Sequence, residues 1–175
     1  MASRLKPPVN NKDHVQGNKN AVLELVEYGD YQCPHCGRAY PIIKEVQETM
    51  GENLKFVFRN FPLSDAHPDA FNAAVAAEAA ALQDRFWEMH DILYENQEQL
   101  DWKSLLVYAK KTGLDLPRFK TDIEKDAIIA KVEDDFESGI RSGVNGTPSF
   151  FINGEKYEGS WGAYELTEYL TSLLA

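Results

Sequence analysis

The sequence predicts an α/β protein in which a βαβ unit is followed by a helical insertion and then by a ββα unit. An apolar, β-branched segment at residues 21–28 runs directly into helical spacing that begins at residue 34. A long alanine-rich tract then has helical periodicity and no strand signal. Strand signals return on both sides of Asn153-Gly154, a dipeptide that strongly indicates a β-hairpin.

The βαβ unit begins with a strand at residues 21–28, whose apolar residues do not alternate, as is typical of a central strand covered on both faces. The helix that follows covers residues 34–50 and ends at Gly51. Its apolar residues recur every three or four positions: Cys36, Ala39, Ile43, Val46 and Met50. Residues 54–61 form the second strand, which is predicted to be parallel to the first because a right-handed crossover joins them.

Residues 62–146 are predicted to form an inserted, all-helical subdomain of three to five helices. Its first part carries an apolar stripe at helical intervals: Phe71, Val75, Leu82, Phe86, Met89 and Leu93. Asp101 is a predicted N-cap for a helix that Gly113 ends. The last helix of the insertion is predicted to be lined by Ile129, Val132, Phe136 and Ile140.

The two ends of the chain have different character. Residues 1–20 are polar and contain adjacent prolines, so they are predicted to be an extended arm rather than a packed element. The hairpin around Asn153-Gly154 precedes a closing helix with an apolar stripe formed by Leu166, Leu170 and Leu173. The main α/β domain is therefore predicted to comprise residues 21–61 and 147–175.

The chemistry is predicted to lie at the two cysteines of the chain, Cys33 and Cys36, where a strand ends and a helix begins. Unpaired N–H groups and the helix dipole favour negative charge there, so a thiolate is stabilised and its pKa can fall well below about 8.5. Cys33 is the predicted nucleophile and Cys36, one turn deeper, the resolving thiol. His35 can add a positive charge when protonated, and Pro34 lacks an N–H that would need a partner.

A CxxC pair can also be half of a zinc site or simply two buried thiols. A structural zinc usually has four ligands, and the chain has no third cysteine. The other histidines, His14, His67 and His90, show no ligand spacing with one another. We therefore expect no metal, and a dithiol that cycles with a disulfide.

Length, charge and hydropathy restrict the class of protein. At 175 residues the chain has the length of one domain, and its net charge of -10 argues against nucleic acid or an anionic membrane as a partner. No apolar run is long enough to insert into a bilayer. No secretory signal is visible, so we expect a cytoplasmic protein with a catalytic rather than a lasting disulfide, or a periplasmic one if a signal has been removed.

The element order, with CPHC opening the first helix and GVNGTPSFFING before the hairpin, resembles the DsbA family of thiol-disulfide oxidoreductases. That family has a thioredoxin fold carrying an inserted helical domain. Residues 33–36 match the family's active-site tetrapeptide at every position. Thr147-Pro148 matches the cis-proline dipeptide, and Glu27 falls where thioredoxin-fold enzymes place a buried acid.

The resemblance implies roles for these residues. A cis Pro148 would leave neighbouring backbone groups free to pair with an extended substrate, and Thr147 would contribute its backbone near the Cys33 sulfur. Glu27 could accept the proton of Cys36, with its own pKa raised by burial. A trans turn proline and a solvated strand-end carboxylate are the alternatives for Pro148 and Glu27. For His35, which could tune the redox couple, the alternative is an exposed residue without a functional role. No cofactor beyond a Cys33–Cys36 disulfide is implied.

Residues 4–36 also resemble the cytoplasmic DsbA-like domains found alone or behind sodium/proton antiporters in bacteria. The implied function is thiol-disulfide exchange with protein or peptide substrates, of oxidase or isomerase type, with a redox partner that the sequence does not identify. The alternative is a redox-sensing module that regulates a partner such as a transporter. Glutathione-linked enzymes of this architecture generally lack the second cysteine, so Cys36 argues against that class.

Overall fold

The computed structural model describes residues 2–175, and its elements follow the predicted order. Within that range the strands are β1 (His14–Gly17), β2 (Leu23–Gly29), β3 (Leu54–Asn60), β4 (Ser149–Ile152) and β5 (Glu155–Tyr157). The helices are α1 (Pro34–Met50), α2 (Ala70–Ala81), α3 (Phe86–Glu95), α4 (Trp102–Lys111), α5 (Leu116–Asp122), α6 (Asp126–Arg141) and α7 (Ala163–Ser172), and a 3-10 turn covers Gly51–Asn53. None of the helices in these residues is long and apolar enough to cross a bilayer.

The strands form one sheet in the order β1-β3-β2-β4-β5. β2 and β3 are parallel, as predicted for the βαβ unit, and β4 and β5 form an antiparallel hairpin. β2 is central, and six of its seven residues are buried, which confirms its interpretation as a strand covered on both faces. α1 therefore starts at the carboxyl end of the central strand.

The predicted boundaries that depend on glycine are confirmed. α1 ends at Met50, and Gly51 follows with φ of 52°. The hairpin turns at Asn153 and Gly154, whose φ values of 49° and 85° are those of a type I′ turn. Leu173, the last residue of the predicted closing stripe, lies beyond the end of α7 and is exposed.

The N-terminal arm is packed, so the prediction of an unpacked arm is wrong. β1 pairs antiparallel with β3 and forms an edge of the sheet. Leu5 is buried, and its backbone N–H donates to the carbonyl of Gly154 at 2.8 Å. Backbone pairing with an open sheet edge holds β1, and such pairing leaves no apolar pattern in the sequence. Met1, the first residue of the predicted arm, lies outside the described residues.

Five helices, α2 to α6, lie between β3 and β4, within the predicted insertion. Two predicted apolar stripes are partly wrong, because Leu82 is exposed and Ile140 is 56% exposed. The face of α6 that packs inward instead carries Asp135 and Ser138. Polar residues occupy this face because they bond to buried polar groups of the sheet: the Ser138 hydroxyl, for example, lies 2.8 Å from the Tyr28 hydroxyl.

A buried polar network joins β1, β3, α2 and α6. Glu78 on α2 lies 2.9 and 3.0 Å from the Nε2 atom of His14 and accepts a bond of 2.9 Å from the side chain of Asn60. Lys131 on α6 donates to Asp135 at 2.8 Å and lies 3.7 Å from Glu78. The network pairs the buried charges of Glu78 and Asp135 with hydrogen-bond partners, and it ties the arm and the insertion to the sheet.

Candidate active site at the start of the first helix

Both cysteines lie at the first turn of α1. Cys33 is the N-cap residue, with extended backbone angles of -72° and 124°, and Pro34 occupies the first helical position. No side chain caps the helix start, so its first N–H groups remain available to the Cys33 sulfur. Cys33 is 4% exposed and Cys36 is 0% exposed, and both are free thiols.

The environments of the two thiols drive their pKa values in opposite directions. A hydrogen bond from the Cys36 thiol, assisted by the backbone amides of Cys36 and His35, lowers the pKa of Cys33 to about 5 although burial opposes the shift. Burial, and then the hydrogen bond to Cys33, raise the pKa of Cys36 well above its ordinary value. At neutral pH Cys33 is therefore a thiolate and Cys36 a thiol, which is the arrangement of a nucleophile and its resolving group.

The loop before β4 faces the Cys33 sulfur. The carbonyl oxygen of Thr147 lies 3.7 Å from Cys33 Sγ, and the Thr147–Pro148 peptide bond is cis. The Thr147 hydroxyl is buried at the same place, and the Thr147 side chain also contributes to lowering the pKa of Cys33. The structure thus brings together the two segments that the sequence analysis singled out, which are over a hundred residues apart in the chain.

Glu27 lies in the middle of the sheet, on β2, between Phe58 of β3 and Phe150 of β4. It is 3% exposed, and within the described residues its Oε2 atom has no hydrogen-bond partner. Burial, and to a smaller extent the charge of Cys33, raise the pKa of Glu27 to about 8. It is close enough to Cys36 for its own charge to raise the pKa of that thiol. A carboxyl with this pKa can give or take a proton near neutral pH.

His35 and Pro34 are exposed at the front of the site. The guanidinium of Arg38 donates a hydrogen bond to Nδ1 of His35. The backbone amide of His35 is one of the groups that lower the pKa of Cys33.

A buried carboxylate that the sequence analysis missed holds the loop in front of α1. Asp30 Oδ1 accepts bonds from the amides of Gln32 at 2.7 Å and Cys33 at 3.2 Å. Its Oδ2 accepts a bond of 2.9 Å from the amide of Leu63 and lies 2.8 Å from Nδ1 of His67. An aspartate in a turn signals the first of these bonds. The contacts with the loop after β3 have no signal in the sequence.

Gln97 is a second residue that sequence reasoning missed. It lies after α3 in the helical insertion, and its Nε2 donates to the carbonyls of Tyr31 at 2.8 Å and Cys33 at 2.9 Å. A Cβ atom at Gly37 would lie 2.0 Å from Gln97 Oε1, so α1 needs glycine at that position for the contact to form. Gln97 therefore connects the helical insertion directly to the loop and N-cap residue that begin α1.

The three histidines considered as zinc ligands are used elsewhere. His14 bonds to Glu78, His67 bonds to Asp30, and Nδ1 of His90 lies 2.9 Å from the hydroxyl of Tyr31. Across residues 2–175, no group of three or more His, Cys, Asp or Glu side chains is arranged to hold a metal ion.

A family model described as Thioredoxin matches residues 9–172. Among curated proteins, the Na(+)/H(+) antiporter NhaA 1 of Mycolicibacterium vanbaalenii is 43% identical over 168 residues, which is 95% of this chain and 27% of that protein. The Na(+)/H(+) antiporter NhaA 1 of Salinispora arenicola is 42% identical over 165 residues, 94% of this chain and 25% of that protein. The chain thus spans about a quarter of the length of these curated relatives.

Solved structures match over almost the whole chain. Oxidised BdbD from Bacillus subtilis has a TM-score of 0.85 and 25% identity, covering 99% of this chain and 97% of that one. A thioredoxin-like oxidoreductase from Silicibacter pomeroyi has a TM-score of 0.84 and 25% identity, covering 94% of each chain. The thiol-disulfide exchange protein alpha-DsbA2 from Wolbachia pipientis, at 23% identity and TM-score 0.83, covers 94% of this chain and 88% of that one and has the same fold. The implied fold, a thioredoxin fold with a helical insertion, is confirmed.

Proposed function

Because the chain belongs to the thioredoxin family and is a DsbA-like member of it, we propose that it is an enzyme that exchanges a Cys33–Cys36 disulfide with the thiols of protein or peptide substrates. The observation that carries the proposal is the contrast between the two thiols. Cys33, with a pKa of about 5, faces the Thr147 carbonyl, and Cys36 is fully buried with a raised pKa. We propose no cofactor besides this disulfide.

In the oxidising direction a substrate thiolate attacks Cys33 Sγ. A new bond joins the substrate sulfur to Cys33, the Cys33–Cys36 bond breaks, and its electron pair leaves on Cys36. A second substrate thiolate then attacks the substrate sulfur of this mixed disulfide, and Cys33 leaves as a thiolate. The substrate loses two electrons and gains a disulfide, while the enzyme gains the two electrons as a dithiol. The low pKa of Cys33 makes it a good leaving group in the second step.

Glu27 is the proposed proton donor and acceptor for Cys36. When Cys36 leaves, its high pKa favours prompt protonation, and Glu27 carries a proton up to about pH 8. In the reducing direction the same carboxyl takes the proton from Cys36 as that thiol becomes a nucleophile. The unpartnered Oε2 atom supports the role, because no fixed hydrogen bond has to break first.

The proposed direction is oxidation. A stabilised Cys33 thiolate favours the reduced protein, which makes the disulfide form a stronger oxidant. We therefore expect a potential nearer the value of about -120 mV that is typical of DsbA than the value of about -270 mV that is typical of thioredoxin. Equilibration with glutathione buffers of known ratio measures this potential.

A turnover assay with cysteine variants tests the proposal. With excess oxidised glutathione as the terminal oxidant that regenerates the Cys33–Cys36 disulfide, the protein is expected to oxidise a reduced, unfolded protein catalytically and without an added cofactor. Cys33→Ser should abolish the activity, while Cys36→Ser should lack turnover but accumulate a mixed disulfide through Cys33. Undiminished turnover by Cys33→Ser would remove the proposal, and equal accumulation of mixed disulfide on either single cysteine would remove the assignment of the nucleophile.

A second candidate function is favoured by the likeness of this chain to about a quarter of several proteins named as sodium/proton antiporters. In that case the redox state of Cys33 and Cys36 would change the binding of a membrane transporter, with little turnover. Stoichiometric oxidation that stops after one equivalent of substrate even with excess oxidised glutathione present, together with a redox-dependent affinity for a transporter, is the outcome expected of such a sensor.

A further inference from the structure

A groove of about 510 Å³ lies between the loop that follows β3 and the exposed side of α6. Its walls are apolar and are formed by Pro62, Leu63, Ala66, Phe71 and Phe136. Phe136 is half-buried and stacks on the buried ring of Phe61 with their centroids 4.3 Å apart, so this wall is firmly supported. The groove therefore presents an apolar surface that is supported by the packed core beneath it.

The groove adjoins the redox site. The carboxylate of Asp30 binds the amide of Cys33 through one oxygen and the amide of Leu63, a residue of the groove, through the other. Only one side chain thus separates the backbone of the reactive cysteine from the start of the groove. A polypeptide bound at Cys33 has to continue in some direction, and the groove begins at a residue whose amide shares the Asp30 carboxylate with Cys33.

The charge around the groove is negative. Asp65, Glu133 and Glu137 line it, and all three are exposed. Among the described residues, no Lys, Arg or His side chain contributes to the lining. Arg141, outside the lining, lies 3.9 Å from Glu137. A chain with a net charge of -10 is a poor occupant of such a site, which argues against a second copy of this protein.

We propose that this groove binds a segment of the substrate polypeptide close to the reacting cysteine, and that it selects an apolar side chain followed by lysine or arginine. The inference rests on the proposed function and adds a class of substrate to it. The apolar side chain is received by the Leu63 and Phe136 side of the groove. The cationic group reaches the carboxylates of Glu133 and Glu137 at its edge.

Symmetric peptides with a single cysteine test this selection without assuming a chain direction. The three sequences are Lys-Leu-Gly-Cys-Gly-Leu-Lys, the same peptide with glutamate for lysine, and the same peptide with serine for leucine. The second-order rate of reaction with the disulfide form of the protein is measured at low salt. Each rate is divided by the rate of that peptide with oxidised glutathione, which removes differences in intrinsic thiol reactivity.

Variants on α6 and a matched control locate the effect. The test variant is Glu133→Lys with Glu137→Lys, and the control is Glu48→Lys with Glu52→Lys, which changes the net charge equally. Glu48 is exposed on the last turns of α1, roughly 20 Å along the helix from Cys33 at 1.5 Å per residue. The unfolding midpoint of each variant shows whether its fold is kept.

The wild-type protein and the control are expected to prefer the leucine-lysine peptide to the leucine-glutamate peptide by about fivefold, the size expected of two exposed ion pairs. The test variant should lose this preference, and the preference should fall with added salt. The serine peptide should react more slowly than the leucine peptide in all three proteins. Equal rates for all peptides, or equal loss of preference in test and control variants, would overturn the inference while leaving the oxidoreductase intact. Failure of every peptide and of glutathione to react with Cys33 would instead remove the proposed function.

Discussion

Glu27 and Glu78 are buried to the same extent and behave in opposite ways. Each is 3% exposed. Glu78 is bonded to His14 and Asn60 and lies near Lys131, and these partners outweigh burial and lower its pKa. Among residues 2–175 one oxygen of Glu27 has no partner, and burial raises the pKa of this carboxyl to about 8. Burial therefore does not determine the state of a carboxyl: fixed partners do, and their absence leaves a group that can exchange a proton.

The two regions accordingly serve different ends. The network around Glu78 uses charge to hold β1, α2 and α6 on the sheet. The region around Glu27 keeps a buried acid with a raised pKa near Cys33 and Cys36, where it can exchange a proton with a thiol. Substitutions in the first region should change stability, and substitutions in the second should change proton chemistry.

The largest effect is expected from Glu78→Ala. Without this carboxylate, the buried side chains of His14, Asn60 and Lys131 each lose a polar partner. We therefore expect the free energy of unfolding to fall by about 3 kcal/mol or more. Glu27→Leu removes an acid that makes no fixed hydrogen bond through Oε2 within the described residues, and it should change the free energy of unfolding by less than about 1 kcal/mol at pH 6. Urea denaturation of the oxidised proteins measures both values, and equal losses would end the contrast drawn between the two carboxyls.

The next largest effect is a pH dependence of stability that comes from Glu27. Because the folded protein holds this proton more tightly than the unfolded chain, its contribution to stability is fully present below about pH 4.5 and is lost as pH rises to about 8. At about 1.36 kcal/mol per unit, the oxidised protein should lose at most about 3 kcal/mol between pH 5 and pH 8 from this group. Glu27→Gln should abolish the loss, and Glu78→Gln should not.

In the reduced protein the free energy of unfolding should depend less on pH between pH 5 and pH 8. The pKa of Cys33 is lowered from 9.0 to about 5, so its contribution to stability grows as pH rises from about 5 towards 9 and opposes that of Glu27. Groups that are unaffected by the redox state cancel when the oxidised and reduced curves are subtracted. The slope of the difference curve then comes mainly from Cys33, and a difference curve without a slope between pH 5 and pH 8 would contradict the lowered pKa of Cys33.

Alkylation of the reduced protein gives a smaller but more specific effect. Cys33 should react with iodoacetamide with a midpoint near pH 5, and Cys36 should stay unmodified until the protein unfolds. Since Cys33 raises the pKa of Glu27, the profile should carry a second, weaker inflection near pH 8. Peptide mapping by mass spectrometry follows each thiol. The inflection should vanish in Glu27→Gln and persist in Glu78→Gln.

The smallest effect is expected from Gln97→Ala. It removes two neutral hydrogen bonds to the carbonyls of Tyr31 and Cys33, and neutral bonds contribute less than the charged ones around Glu78. We expect a loss of about 1 kcal/mol in stability and a change in the alkylation rate of Cys33 without a change in its midpoint. An altered midpoint would show that Gln97 acts on the charge of the sulfur rather than on the position of the loop.

The sequence by itself determined the elements whose information is local. The apolar spacing from Cys36 to Met50, the stop at Gly51 and the turn at Asn153-Gly154 predicted α1 and the hairpin at their observed positions. The position of the two thiols at the start of a helix follows from the same pattern. Periodicity and turn chemistry act between neighbours, so they can be read without knowing the fold.

The tertiary structure alone decided which polar groups meet. The pairing of β1 with β3, the bonds from Asp30 to Leu63, and the reach of Gln97 to Cys33 each join segments more than thirty residues apart. A single polar residue forms no periodic pattern in the sequence, and which group it bonds to depends on how the chain folds. For the same physical reason the sequence could place Glu27 in a buried strand, whereas only the structure shows that one of its oxygens has no partner in the part of the chain that the structure describes.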